Sequence, residues 1–186
     1  MQYFVTGATG FIGKRLVKAL LARRGTTVHF LVRPGSEDKL PALRAYWGAN
    51  AQRAHAVSGD LTAKKLGVSA DDLKSLKGQI DAVYHLAAVY DLGADEDSQV
   101  QVNIEGTRHV CEFAKAVEAG HLHHVSSIAA AGLYEGVFRE DMFDEAEGLD
   151  DPYLRTKHDS EGLVRREKRI KWRVYSPGMV VGHSKT

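Results

Sequence analysis

Tyr153 and Lys157 stand four residues apart in the stretch Pro152-Tyr153-Leu154-Arg155-Thr156-Lys157. On a helix that spacing puts both side chains on one face. A phenol titrates near ~10 and is neutral at pH 7. An ammonium beside it favours the phenolate. Such a pair can donate a proton to a carbonyl oxygen as the carbon is reduced, or accept one in the reverse direction. Alone, the pair is a common accident of helix surfaces. Upstream, Val125-Ser126-Ser127 closes an apolar run. A serine at the carboxyl end of a strand can hydrogen-bond and orient the same oxygen. Successive strand residues point to opposite faces, and Ser127 rather than Ser126 is expected to face the site.

A second constellation opens the chain: Thr6-Gly7-Ala8-Thr9-Gly10-Phe11-Ile12-Gly13. It follows the apolar run Gln2–Thr6 and precedes a helical pattern. Gly7 permits a tight turn, Gly10 lets backbone approach a pyrophosphate, and Gly13 lets helix and strand pack closely. The N–H groups at the helix start then meet phosphates. This loop, with Gly7, Thr9, Gly10, Phe11, Ile12 and Gly13, is the candidate dinucleotide cradle. The spacing is G-x-x-G-x-x-G rather than G-x-G-x-x-G, and its strand–helix context is what gives it weight.

The second apolar run ends Leu31-Val32-Arg33, with no acid before Glu37. An acid there would bond ribose hydroxyls; an arginine pairs with a 2′-phosphate, so the expected cofactor is NADP(H). Lys14, Lys39 and Arg44 are candidate helpers. Asp60-Leu61 follows the third run, where an aspartate can accept from the adenine amino group while the leucine packs on the ring.

These residues need elements to hold them. Apolar β-branched runs alternate with helical patterns, which predicts a parallel sheet with helices on both faces. The expected strands are 2–6, 28–33, 54–58, 82–86, 122–126 and 172–176. The expected helices are 11–24, with Phe11, Ile12, Leu16, Val17, Leu20 and Leu21 on one side, then 69–77 capped by Ser69, 99–119 stopped by Gly120, and 153–168. The fold class is therefore α/β, a Rossmann-type doubly wound parallel sheet. Residues 1–186 read as one such NADP-binding domain, truncated after strand six, with the C-terminal substrate-binding part absent.

Composition bounds the rest. The 186 residues are 44% hydrophobic with net charge +1, which suits one globular domain and selects neither nucleic acid nor an anionic membrane. Apolar stretches fall short of a membrane span, so no transmembrane segment is expected. The lone Cys111 reads as a core residue in a reducing, cytoplasmic setting. His121, His123 and His124 cluster on one strand without a nearby carboxylate, and no metal is expected. The basic run 165–173 reads as a solvated helix end. Two acidic segments, 91–97 and 140–151, are placed by topology at the active-site edge. Phe138, Met142 and Phe143 either line an acyl channel or anchor their loop.

Together the motifs resemble the extended short-chain dehydrogenase/reductase superfamily. They include the glycine loop, Asp60-Leu61, His85-Leu86-Ala87-Ala88, Val102-Asn103-Ile104-Glu105-Gly106-Thr107, Ser126-Ser127, Tyr153 with Lys157, and Ser176-Pro177-Gly178-Met179-Val180-Val181-Gly182. The resemblance implies that Ser127, Tyr153 and Lys157 are catalytic, that Lys157 and Tyr153 also contact the cofactor, and that Leu86, Ala87 and Ala88 line it. It implies that Pro177-Gly178 approaches the nicotinamide and that Asn103 supports the site.

Within that group, Leu31-Val32-Arg33-Pro34, Ser58-Gly59-Asp60-Leu61-Thr62 followed by Leu66-Gly67-Val68-Ser69, and Pro152–Lys157 are similar to fatty acyl-CoA reductases and thioester-reductase domains. The implied reaction is NADPH-dependent reduction of an acyl thioester to aldehyde, with a second reduction to alcohol left open. Further domains C-terminal to the fragment are implied. Two alternatives remain: an NADP-dependent oxidoreductase of a sterol, flavonoid-like or sugar-nucleotide substrate, and a non-enzymatic NADP(H)-sensing or scaffold domain.

Overall fold

The computed structural model describes residues 1–89 and 95–182. The strands are β1 (Gln2–Thr6), β2 (Thr27–Val32), β3 (Ala54–Ser58), β4 (Ala82–His85), β5 (His121–Val125) and β6 (Lys171–Tyr175). They form one parallel sheet in the order β3-β2-β1-β4-β5-β6. The order reverses between β1 and β4, which opens a crevice at their carboxyl ends. The glycine loop leaves β1 at that crevice. All six strands match the expected ones to within one residue at either end; all but β4, which runs on into Leu86-Ala87-Ala88, are short runs closed by glycine, proline or serine.

Helix α1 (Phe11–Leu21) and helix α2 (Leu40–Trp47) cover one face over β1–β3. Their core contains Val5, Val17, Leu20, Leu21, Val28, Phe30 and Trp47. The Phe30 and Trp47 rings meet edge-on at 5.1 Å, and the Trp47 indole donates to the Lys14 carbonyl at 3.0 Å. Helix α2 is absent from the sequence expectation. It is short, its only buried side chains are Leu43 and Trp47, and that leaves too little periodicity to recognise.

On the other face lie α3 (Ala70–Leu76), α4 (Glu96–Gln99), α5 (Gly106–Ala116) and α6 (Pro152–Arg165). Their core joins Phe4, Leu66, Val83, Val110, Phe113, Leu122 and Val164. Ser69 caps α3 as expected, accepting from the Asp72 N–H. Cys111 is buried in this core, and burial pushes its thiol up to about 11; a thiol held protonated there is a packing residue.

Three helix expectations need correction. Helix α1 ends at Leu21, and it buries Gly13, Val17, Leu20 and Leu21, while Phe11 and Ile12 stay 41% and 39% exposed. The stripe therefore starts one turn later than its apolar letters suggest. The long helix begins at Glu96, capped by Asp95, and between α4 and α5 it widens into a π segment, Val100–Glu105. Its last α-helical residue is Ala116, so Gly120 is not its stop. A Cβ on Gly120 would meet the Asp81 carbonyl at 2.7 Å, so this glycine serves a close approach before β5. Helix α6 ends at Arg165 rather than Lys168.

Candidate active site

The cradle is shaped by close backbone approach. Gly7 has φ +75°, and a Cβ there would lie 2.7 Å from the Ala87 nitrogen. A Cβ on Gly13 would overlap the Gly7 carbonyl oxygen. At Gly10 the nearest atom is that same oxygen, at 3.3 Å, and the residue is exposed. Gly7 and Gly13 thus make the turn, and Gly10 presents open backbone at the start of α1. Thr9 is exposed beside it. Phe11 is covered by the Arg15 guanidinium at 3.8 Å and abuts Gly182.

Arg33 is exposed at the end of β2. The Glu37 carboxylate nearby accepts from the Gly35 N–H at 2.8 Å. Of the candidate helpers, Arg44 is turned away and donates to the Ala51 carbonyl, while Lys14 lies over the Tyr46 ring at 5.3 Å. Asp60 accepts from both the backbone N–H and the hydroxyl of Thr62 at 2.8 Å. Those bonds, and secondarily the Arg33 charge, hold its carboxyl below the usual range. Leu61 packs against Gly106 of α5, and His109 donates through Nδ1 to the Leu61 carbonyl at 3.0 Å.

At the other side of the crevice, Asp151 caps α6 by accepting from the N–H groups of Tyr153 and Leu154. An N-cap of this kind fixes where the first turn starts, and hence where Tyr153 sits. One turn on, Lys157 is 4% exposed and its ammonium donates to the Val125 carbonyl at 3.4 Å. Burial pulls its pKa down to about 8, with Glu161 opposing. His158 donates through Nδ1 to the Ala130 carbonyl at 2.9 Å. Helix α6 is thereby tied to the end of β5 and to the turn after it, on both sides of Ser126-Ser127. Ser126 is buried, whereas Ser127 is half-exposed with its Oγ accepting from the Ala129 N–H at 3.1 Å. The Pro177 carbonyl accepts from the Ile128 N–H at 3.1 Å, which brings Pro177-Gly178 beside this turn.

Leu86, Ala87 and Ala88 are half-buried at the end of β4. Asn103 lies in the π segment, donates to the Val89 carbonyl at 3.0 Å and accepts from the Val89 N–H at 2.8 Å. It also donates to the Thr156 hydroxyl at 3.2 Å, and that hydroxyl donates to the Tyr153 carbonyl at 3.1 Å. One polar side chain thus joins the end of β4 to α6. The sequence supplied Asn103 only through resemblance. His85, Thr6 and Thr107, buried beside it, were absent from the expected site; the signal was the unusual polarity of residues at core positions.

Loop 140–151 is held down by its aromatics. Phe143 stacks on His158 at 4.2 Å and lies 5.0 Å from the Arg165 guanidinium. Met142 is buried, and Phe138 meets Tyr134 edge-on at 5.4 Å. Phe143 therefore anchors the loop to α6. Several of the acids serve structure: Asp151 caps α6, Glu145 accepts from the Phe143 N–H, and Asp95 caps α4. Glu96 pairs with Arg155. Residues 91–94 of the other acidic segment lie outside the described residues.

In the basic run Arg166, Lys168, Arg169, Lys171 and Arg173 are exposed as expected, while Arg165 pairs with buried Glu161 at 2.7 Å. Among the described residues no group of His, Cys, Asp or Glu could hold a metal, and no helix is long and apolar enough to cross a membrane.

Comparison with known proteins adds the family context. The chain is 32% identical over 197 residues to a linear gramicidin synthase of Brevibacillus parabrevis, an alignment covering 98% of this chain and 4% of that protein. Among solved structures, the terminal R domain from the myxalamid PKS-NRPS biosynthetic pathway matches with a TM-score of 0.85 and 31% identity, over 98% of this chain and 50% of that one. UDP-glucuronic acid 4-epimerase from Bacillus cereus, solved with NAD, matches with a TM-score of 0.75 and 27% identity, over 98% of this chain and 57% of that one. The chain thus spans about half the length of the solved proteins it matches. Residues 5–186 match the family described as male sterility protein. With its Rossmann-like sheet and its similarity to reductase domains over nearly the whole length, the chain belongs to that NAD(P)-binding family, within the extended short-chain dehydrogenase/reductase group.

Proposed function

We propose that this chain is the NADP(H)-binding and catalytic half of a reductase that converts an acyl thioester, such as a fatty acyl-CoA, to an aldehyde. The observation that carries the reading is Lys157. A buried lysine costs stability, and retaining one is a mark of a functional site; this one lies one turn beyond Tyr153 with its ammonium on the carbonyl of Val125, the last residue of β5, two residues before Ser127.

The cradle fits a dinucleotide, because Gly7 and Gly13 admit no Cβ while Gly10 leaves backbone open at the start of α1. Gly10, Phe11, Ile12 and Thr9 would hold the pyrophosphate, Leu86, Ala87 and Ala88 the middle of the cofactor, and Pro177-Gly178 the nicotinamide end. Asp60 would take the adenine amino group through Oδ2, since Oδ1 is committed to Thr62. Arg33 at the end of β2 favours a 2′-phosphate, and Glu37 is engaged with the Gly35 N–H rather than offered to a ribose.

When bound, NADPH supplies the hydride that reduces the carbonyl carbon. Ser127 Oγ orients the carbonyl oxygen, and Tyr153 Oη hydrogen-bonds it and stabilises the developing negative charge. Lys157 supplies positive charge beside the phenol and holds ribose hydroxyls. Loss of the thiol then leaves the aldehyde. The likeness to a sugar-nucleotide epimerase supports a second reading, an oxidoreductase of a hydroxyl or ketone substrate. The chain lacks the acid at the end of β2 and the Tyr-Gly after the serine strand that mark those enzymes, reading Ile128-Ala129-Ala130-Ala131-Gly132 instead.

The test is a fluorescence titration with NADPH and NADH, then NADPH consumption by the whole protein with a fatty acyl-CoA. Tighter NADH binding would sink the NADP assignment. Turnover of ketones with none of thioesters would sink the thioester assignment. Tyr153→Phe is expected to cut turnover at least about 100-fold while leaving NADPH binding within about twofold.

A further inference from the structure

The buried imidazole of His85 is bonded at both nitrogens: Nδ1 lies 2.8 Å from the Thr6 hydroxyl and Nε2 lies 3.0 Å from the Thr107 hydroxyl. The directions of these bonds follow from the groups at the ends. Thr107 Oγ1 is 2.6 Å from the Asn103 carbonyl oxygen. A carbonyl only accepts, so the Thr107 proton is spent there and Thr107 must accept from His85. Nε2 therefore carries the hydrogen. Among the described residues no carboxylate bonds the ring, and burial, followed by the Lys157 charge, depresses its pKa to about 3. The ring is thus neutral, Nδ1 is an acceptor, and Thr6 donates to it. The Thr6 oxygen in turn accepts from the Ala87 N–H at 3.4 Å.

The result is one directed chain of hydrogen bonds, from the Ala87 N–H through Thr6, His85 and Thr107 to the Asn103 carbonyl. A second arm leaves the same residue through its amide, to the Thr156 hydroxyl and the Tyr153 carbonyl. Each end matters to the crevice. Thr6 directly precedes Gly7, and Gly7 abuts Ala87. Asn103 grips Val89 and reaches the helix that carries Tyr153 and Lys157.

We propose that His85 is a positioning residue whose Nε2–H tautomer, selected by Thr107, sets the glycine-loop side of the crevice in register with the helices that bear Asn103 and Tyr153. A reversed tautomer would oppose acceptor to acceptor at Thr107, whose proton is held by the Asn103 carbonyl, and donor to donor at Thr6, so the chain of bonds favours one polarity. The part concerning the nucleotide rests on the reading of Ala87 and the glycine loop as its binding surface.

Two measurements test this. Long-range nitrogen–proton NMR on the nucleotide-free chain at neutral pH is expected to show His85 as the Nε2–H form; a predominant Nδ1–H form would overturn the proposal, and no variant is needed. NADPH titration then compares Thr107→Val, which keeps shape but loses the hydroxyl, with Thr107→Ser, which keeps the hydroxyl. Thr107→Val is expected to weaken binding about tenfold, and Thr107→Ser to stay within about threefold of the unmodified chain. Unchanged binding in Thr107→Val, or equal losses in both variants, would overturn the positioning role. Failure of the unmodified chain to bind either nucleotide would instead overturn the functional reading, leaving the tautomer measurement to decide the polarity of the chain.

Discussion

Asn103 grips both polar groups of the Val89 backbone, donating to its carbonyl at 3.0 Å and accepting from its N–H at 2.8 Å. That is how a strand pairs with its neighbour, here performed by one side chain. It is buried, and it adds a bond to Thr156. Asn103→Ala strips partners from several groups at once. Leaving buried polar groups unpaired costs about 1–3 kcal/mol each where water cannot replace the partner. The expected loss is roughly 2–4 kcal/mol in urea unfolding, with NADPH affinity reduced as well. A loss below about 0.5 kcal/mol would mean that water substitutes for the amide.

Lys157 should cost the fold stability at neutral pH. Burial takes its pKa from 10.5 to about 8. Between those values the unfolded chain binds the proton more tightly, so stability rises with pH across that window. Below about pH 8 the full penalty applies, on the order of 3 kcal/mol. Lys157→Met is therefore expected to be more stable than the unmodified chain at pH 7 by about 1–3 kcal/mol, with the advantage shrinking toward pH 10. Urea unfolding at both pH values checks it. Turnover by the whole protein should be lost in the same variant, a stability gained at the expense of function.

His85 and His124 predict acid sensitivity. Burial lowers the pKa of both, to about 3 for His85 and well below the usual value for His124. The unfolded chain takes up their protons from about pH 6.5 downward, while the folded chain does not. Stability contributed by the neutral rings is fully present above that pH and falls as pH drops. Each histidine contributes a slope of about 1.4 kcal/mol per pH unit below its unfolded pKa. For His85, moving from pH 7 to pH 5 should cost roughly 2 kcal/mol, and His124 adds to the loss in the same direction. His124→Gln should make the slope shallower; a slope unchanged by it would mean that His124 titrates in the folded chain.

Two glycines of the cradle should respond differently to alanine. At Gly13 a Cβ would overlap the Gly7 carbonyl oxygen, and backbone must shift to admit it. Gly13→Ala is expected to lose at least about 2 kcal/mol of stability and all measurable NADPH binding. At Gly10 the nearest contact is 3.3 Å and φ is −76°. Gly10→Ala should fold with less than about 1 kcal/mol lost, yet bind NADPH at least about tenfold more weakly, because its methyl occupies the phosphate approach. Thermal melts and fluorescence titrations separate the two.

The sequence by itself determined the sheet. Short apolar runs, all but β4 closed by glycine, proline or serine, admit few placements, and the six strands lie within a residue of expectation. It also determined the cradle, since Gly7 and Gly13 stand where no other residue fits, and the four-residue spacing that puts Tyr153 and Lys157 on one helix face. Periodicity did not reach α2, whose packing rests on Leu43 and Trp47, nor the π segment that turns Asn103 toward Val89. A π turn is a departure from the 3.6-residue repeat and leaves no mark in a pattern of apolar letters. The partners of the polar residues were decided only by tertiary structure. His85, Thr6, Thr107, Asn103 and Thr156 come from separate elements, and a hydrogen bond requires a distance and a direction that sequence spacing does not encode between elements. The same holds for Phe143. Its letter suits a channel wall or a loop anchor equally well, and its stacking on His158 makes it the anchor of the loop on α6.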